Sequence, residues 1–242
     1  MENRNSNIDR REFFKISAVS AVALATVSAV LPVCGTNHLA DANQTTCNAK
    51  LIDRLLDLME NEIVPLTQVE IKKGNKIFGA AIIRKDDLST VVVGSNNETE
   101  NPLWHAEVHT IKLLYEMPKS ERPNPKSVIF LATHEPCPLC LSAITWAGYD
   151  NFYYFFSHED SRDSFNIGHD LKILKEVFKQ DPGGYARENA YWKAYSIRDL
   201  IKACDENKQK GYIERIEKLK KVYAQMSEVY QRNKDDTDIP LK

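Results

Sequence analysis

The 242-residue chain has almost no net charge: 34 acidic and 32 basic side chains leave a formal −2. No global positive field is available to gather a polyanion, so composition gives no support to a nucleic-acid partner. Cysteine is scarce, and five unevenly spaced cysteines are too few for a disulfide framework. No internal repeat or low-complexity segment is present, which leaves solenoid and low-complexity architectures without support. What remains is an ordinary globular composition. A hydrophobic fraction of 43% suits a chain that buries a core, and the length suits one medium domain with an appendage.

Charge is missing altogether from Ile16 to Val33, an Ala-, Val- and Ser-rich run that follows Asp9-Arg10-Arg11-Glu12-Phe13-Phe14-Lys15. This is the organisation of a targeting signal rather than of a core helix. The pattern Arg-Arg-x-Phe-x-Lys resembles a twin-arginine export signal, with Asp9 standing where such signals usually have Ser or Thr. Ala40-Asp41-Ala42 has the small-x-small form of a cleavage site. Residues 1–42 are therefore read as a signal peptide, and the mature protein is expected to be periplasmic or otherwise extracytoplasmic. A rival reading makes Cys34 a lipid-anchoring cysteine, although Pro32 and Val33 fit a lipobox poorly. Membrane association is expected only through the signal or such an anchor.

Residues 43–50 are polar and read as a flexible lead, followed by a folded domain over 51–205. Leu51, Leu55, Leu58 and Met59, joined by Ile52, Leu56 and Ile63, mark one face of an amphipathic helix. Ile77 to Ile83 and Thr90 to Val93 are short β-branched runs around the charged turn Arg84 to Leu88, which predicts a hairpin. A helix is predicted over His105 to Tyr115, a buried strand over Val128 to Ala132, and a helix from Pro136 to about Ala147. Phe152 to Phe156 reads as a strand, Asp170 to Phe178 as a helix, Tyr191 to Tyr195 as a fifth strand and Arg198 to Cys204 as a helix. Such alternation indicates an α/β sandwich. In the tail, 206–242, Tyr212, Ile216, Leu219, Tyr223, Met226 and Tyr230 form a stripe along one long amphipathic helix. It either packs on its own domain or offers a surface to a second subunit.

The chemistry resides in His105-Ala106-Glu107 at one helix start, followed about thirty residues later by Pro136-Cys137-Pro138-Leu139-Cys140 at another. Each half alone says little, but together and in this order they match the H-x-E and P-C-x-x-C signature of zinc deaminases. One imidazole and two thiolates fill three tetrahedral positions around Zn²⁺ and leave the fourth to water, whose pKa falls to about 7. Glu107, two residues from a ligand, is placed to move protons as base and then as acid. Helix N-termini favour thiolate over thiol. His109, at i+4 from His105, is read as packed beside the site, because a zincin helix needs Glu directly after the first His. His134 either lines the pocket or is structural.

Through HAEVHTI and THEPCPLCLSAITWAG, roughly from Leu51 to Phe178, the chain resembles the cytidine and deoxycytidylate deaminase-like superfamily. Within it the similarity is greatest to bacterial guanine deaminases and tRNA adenosine deaminases. The resemblance implies a three-layer α/β/α sandwich around a mixed sheet of about five strands, here with a long C-terminal helix added, and a homodimer. It implies hydrolytic deamination of a free nucleobase or nucleoside with release of ammonia, guanine first and cytosine, adenine or nucleosides after it. It also implies Asn96 as the amide that pairs with the substrate ring and the Ala106 backbone as a contact to a substrate oxygen. Ser157-His158-Glu159-Asp160 with Phe165 and Asp170 is more like the guanine branch, with Asp170 holding an amino group of the base or, alternatively, serving as a helix N-terminal charge. Trp104 replaces the small residue usual beside the metal histidine, so it either stacks on a base or narrows the entrance.

Zn²⁺ is the expected cofactor and a small molecule the expected partner. A tRNA adenosine deaminase fits poorly with an export signal and the net charge, and an exported zinc-containing binding module without turnover fits poorly with an intact Glu107. Cys47 and Cys204 are the cysteines left after signal removal and metal binding. In an oxidising compartment they are candidates for a disulfide between the first helix and the tail.

Overall fold

The computed structural model describes residues 47–242. The expected signal peptide, Cys34 and residues 43–46 lie outside the described residues. The lead expected to reach residue 50 gives way earlier: Cys47 is disulfide-bonded, and Asn48 caps helix α1 (Ala49–Leu58), its side chain accepting the Leu51 N–H at 3.1 Å. The helix continues through a π-helical turn (Met59–Ile63) into α2 (Val64–Glu70). This turn was not foreseen. Ile52, Leu55, Leu58, Met59 and Ile63 are all fully buried along it, so the stripe read from the sequence is a core wall.

Strands β1 (Gly79–Arg84) and β2 (Thr90–Ser95) form the predicted antiparallel hairpin. β3 (Val128–His134) joins β1 antiparallel, and β4 (Asn151–Phe156) and β5 (Lys193–Ser196) extend the sheet in parallel. The order β2-β1-β3-β4-β5 is that of a mixed five-stranded sheet. Alternation along the strands divides the core. Ala81, Ile83, Ile129, Leu131 and Phe155 face one cluster with α1, α2, α7 (Ile197–Lys202) and α8 (Glu206–Asn233). Ala80, Ile82, Phe130, Phe152 and Tyr154 face the other, with α3 (Ala106–Glu116) and α4 (Pro138–Trp146). Helices thus cover both faces, as a three-layer α/β/α sandwich requires, and double burial explains why β3 reads as an unbroken apolar run.

A Cβ on Gly94 would fall 2.3 Å from Thr110 Oγ1. Glycine there lets α3 lie directly on β2, bringing its N-terminus under the sheet. Two short helices follow β4: α5 (His158–Asp163), which was not anticipated, and α6 (His169–Glu176). Ser157 and Asp160 form a capping box on α5, so local hydrogen bonds rather than an apolar period set its start. The stripe on α8 packs on its own domain: Tyr212, Leu219, Tyr223, Met226 and Tyr230 are buried in the first core. Arg215 holds the same helix to α1 and the π-helical turn through Asp57 at 2.6 Å and Glu60 at 3.1 Å.

Cys47 and Cys204 are bonded across a sequence separation of 157, tying the start of α1 to the α7–α8 turn. Closing so long a loop restricts the unfolded chain, and such bridges contribute about 2–4 kcal/mol. The Cys47→Ser/Cys204→Ser double variant is expected to lose that much stability in a urea titration under non-reducing conditions. Coincident midpoints for variant and parent would show that the bond contributes nothing.

Candidate active site

The two motif halves meet because both open helices on the same face of the sheet. His105 is the N-cap residue of α3, and Cys137 is the N-cap residue of α4, with Cys140 in its first turn. Pro138 takes the first helical position of α4, where a missing N–H removes no helical bond. His105 Nδ1 lies 3.3 Å from Cys137 Sγ and 3.7 Å from Cys140 Sγ, and the three donor atoms fall within 4.8 Å of one another. For zinc bonds of about 2.0–2.1 Å to nitrogen and about 2.3 Å to sulfur, a tetrahedral N···S edge is about 3.5 Å. The donor set therefore fits zinc in kind and in spacing. Glu107 Oε2 accepts from Cys140 Sγ at 3.2 Å, which puts the carboxylate against the same cluster.

Charge is confined here. Burial pushes the Glu107 carboxyl up to about 7, and the neighbouring Cys137 sulfur adds to the rise against the opposing pull of His105. Burial draws His105 down, but the hydrogen bond and charge of Cys137, with Glu98 and Glu107, outweigh it and leave the imidazole at about 9. The hydrogen bond from Cys140 carries the Cys137 thiol well below its ordinary value, with His105 assisting, while burial and the nearby Cys137 and Glu107 push Cys140 well above it. Without a cation the pocket favours one thiolate and one thiol. A divalent ion is the charge that would let both sulfurs ionise.

Behind His105, Nε2 lies 3.6 Å from Glu98 Oε1, and that oxygen is 2.6 Å from Lys76 Nζ. Glu98 and Lys76 are both buried. A carboxylate on the far nitrogen of a metal histidine fixes ring orientation and leaves the near nitrogen free to bind metal. Glu98 also accepts from Asn96 Nδ2, and Asn96 Oδ1 accepts the Ala106 N–H at 2.9 Å. The Asn96 amide thus satisfies an otherwise orphaned donor of α3.

Near the cavity beside the cluster, Asn96 and Ala106 are buried and hydrogen-bonded to each other. The Trp104 ring stacks on His109 at 5.8 Å, with Lys112 Nζ 4.8 Å from its centre. His109 itself is packed as expected, its Nδ1 2.8 Å from the Ser95 carbonyl oxygen. Asp170 does line the cavity, together with Glu107, Phe78, His134 and Glu135. Burial and the Cys137 charge push the Asp170 carboxyl up to about 6. Glu135 anchors the loop that carries Cys137: its Oε1 accepts from Tyr185 Oη at 2.7 Å and Arg187 Nη2 at 3.1 Å, and its Oε2 from the His158 N–H at 3.1 Å. Lys76, Phe78, Glu98 and Glu135 were not singled out in the sequence; the signal available for Glu98 was its place two residues after Asn96.

Residues 56–156 match the cytidine and deoxycytidylate deaminase zinc-binding region. The matched stretch contains all three metal donors and Glu107. The guanine deaminase of Bacillus subtilis (strain 168) is 33% identical over 105 residues, covering 42% of this chain and 63% of the relative, so the chain spans less than two thirds of that protein. Among solved structures, a guanine deaminase from Bacillus subtilis is similar at 25% identity and a TM-score of 0.39, over 59% of this chain and 82% of the other. A guanine deaminase from Nitrosomonas europaea is similar at 15% identity and a TM-score of 0.46, over 81% of this chain and all of the other.

Metal analysis checks the site directly. Cys137→Ala and Cys140→Ala are each expected to abolish stoichiometric zinc, whereas Glu107→Gln keeps one equivalent. Glu98→Gln should weaken zinc affinity about 10- to 100-fold in a competitive chelator titration, the usual effect of losing an outer partner of a metal histidine. Unchanged affinity would show that Glu98 does not orient the ring.

Proposed function

We propose that the protein is a zinc-dependent hydrolytic deaminase of a free nucleobase or nucleoside, with guanine the favoured substrate. The observation that carries this reading is the buried Glu107 carboxylate in contact with the His105, Cys137 and Cys140 cluster. Structural zinc needs no such carboxylate; proton transfer does. When bound, zinc supplies a Lewis acid that makes water nucleophilic at neutral pH. Glu107 takes the proton from the attacking water and delivers it to the ring nitrogen next to the amine-bearing carbon; it then takes the remaining proton of the hydroxyl added at that carbon and passes it to the amine, so that the C–N bond breaks, ammonia leaves and a carbonyl forms. His105 and the two cysteines hold the metal, while Glu98 and Lys76 hold His105. Asp170, on the cavity wall, accepts from the N–H edge of the base. The similarity to guanine deaminases supports the order of substrates.

Export by the twin-arginine route belongs to the same proposal. The Cys47–Cys204 bond supports it, since disulfides persist in oxidising compartments. A homodimer is part of it too. Trp146 is 90% exposed at the end of α4, and Leu139 is exposed on the same helix, which leaves an apolar surface for a second copy to cover. Trp146→Arg is expected to shift the protein from dimer to monomer in light scattering, and a parent that is already monomeric would remove this part of the proposal.

The decisive assay is ammonia release from zinc-loaded protein offered guanine, cytosine, adenine and their nucleosides, with Glu107→Ala alongside. Turnover is expected to fall by about 10²- to 10⁴-fold in the variant while zinc stays bound. Absence of turnover from the parent at one equivalent of zinc would overturn the reading in favour of a binding protein.

A further inference from the structure

His134 closes β3 three residues before Cys137, and its imidazole is 4% exposed. Four aromatic rings hold it: Phe78 at 4.4 Å, Phe156 at 4.8 Å, and Phe165 and Tyr223 each at 5.3 Å between centroids. A ring so enclosed keeps one orientation. Its Nδ1 lies 2.9 Å from Thr133 Oγ1, and that oxygen already accepts the Gly79 N–H at 3.0 Å. The threonine hydroxyl still has its own proton to place; Tyr223 also lies within its reach but, as a phenol, can donate to the threonine oxygen, which leaves Nδ1 as the acceptor. Donation from Thr133 to Nδ1 puts the ring's proton on Nε2. Burial alone holds this imidazole well below its ordinary pKa, so the ring is neutral.

Nε2 has no hydrogen-bond partner. Buried polar atoms are paired in the great majority of cases, and an exception beside a reactive cluster calls for an occupant. Tyr149 and Tyr230 also keep unpartnered hydroxyls, but neither lines the cavity that contains Glu107, Asp170 and the metal donors; His134 does. The cavity therefore offers an unlike set of groups on its wall. Carboxylates accept from the N–H edge of a ring, and a neutral, fixed N–H is suited to an acceptor elsewhere on the same ring.

We propose that His134 Nε2–H is a substrate-binding donor that reads an acceptor on the purine edge remote from the reacting amine, O6 or N7, while Glu107 acts at the amine-bearing carbon. This rests on the deaminase reading. A neutral donor in an aromatic surround favours a ring carbonyl or ring nitrogen over an anionic group, and a base lacking that acceptor would leave the donor unpaired.

The test compares zinc-loaded parent, His134→Phe and His134→Gln on guanine, 7-deazaguanine, which lacks the N7 acceptor, and 2-aminopurine, which lacks O6. Turnover is measured, or competitive inhibition where an analogue is not turned over. His134→Phe is expected to lower kcat/KM on guanine about 10- to 100-fold with zinc at one equivalent, and His134→Gln, which retains an N–H, to recover part of the loss. The loss should vanish on the analogue that lacks the contacted acceptor. An equal loss on all three bases, no loss on guanine, or a parent active on pyrimidines alone would overturn the assignment and leave the deaminase standing. A parent that turns over no base removes the deaminase reading and this one with it.

Discussion

Two sulfurs, a carboxylate and a partly exposed imidazole share one pocket, and keeping four ionisable groups together largely out of water is the condition the surrounding structure has to meet. Cys137 is driven toward thiolate, whereas Cys140 and Glu107 are driven toward their protonated forms by burial and by Cys137 itself. Such mutual opposition is costly in a metal-free protein and useful in a metal-loaded one, since each group held in its uncharged form becomes a ligand or a proton carrier once a divalent charge arrives. Placing His105 and Cys137 at helix N-caps adds positive ends of two helix dipoles to the same spot, which favours the anionic forms without adding a side chain.

The fold meets that condition through position rather than through bulk. β3 is paired antiparallel on one side and parallel on the other, and the chain leaves its C-terminal end through Glu135 and Pro136 straight into α4. Close approach of α3 to β2, permitted by Gly94, brings the other helix start alongside. Each half then has its own brace. Asn96, Glu98 and Lys76 hold the His105 side, and Tyr185, Arg187 and the His158 amide, all converging on Glu135, hold the Cys137 side. Geometry within a few tenths of an ångström depends on such braces, because donors left to loops alone would lose their mutual distances.

How much of this was readable from the sequence follows from how local each signal is. The metal donors and Glu107 form short-range spacings with a chemical reason, and the strands and long helices follow from apolar periods, so both were legible. The braces were not. Lys76 and Glu98 are 22 residues apart and belong to a chain with 66 charged side chains, where no pattern marks the two that will be buried together. Asn96 shows the reverse limit: resemblance identifies an amide of interest, but its hydrogen bond to the Ala106 N–H, ten residues on, is visible in the fold alone. Helix α5 was missed because it has six mostly polar residues and a start fixed by Ser157 and Asp160, leaving no hydrophobic period to detect.

The tail has the least local role of all. Read alone, 206–242 is an amphipathic helix that either packs on its own domain or meets a second subunit; in the fold, Tyr223 on α8 packs against His134, the residue that closes β3 beside the metal donors, and Phe165 joins it. Both rings lie outside the 56–156 stretch that matches the zinc-binding region. The other two rings around His134, Phe78 and Phe156, belong to the matched stretch, so one wall of the pocket is assembled from both parts of the chain. Ser227 strengthens the coupling by donating to the Phe165 carbonyl oxygen at 2.9 Å, and the Cys47–Cys204 bond fixes the point from which α8 departs. His134 is therefore held from both directions, by Phe78, Phe156 and Thr133 of the matched stretch and by Phe165 and Tyr223 beyond it, so the short motifs alone do not determine how that ring is placed.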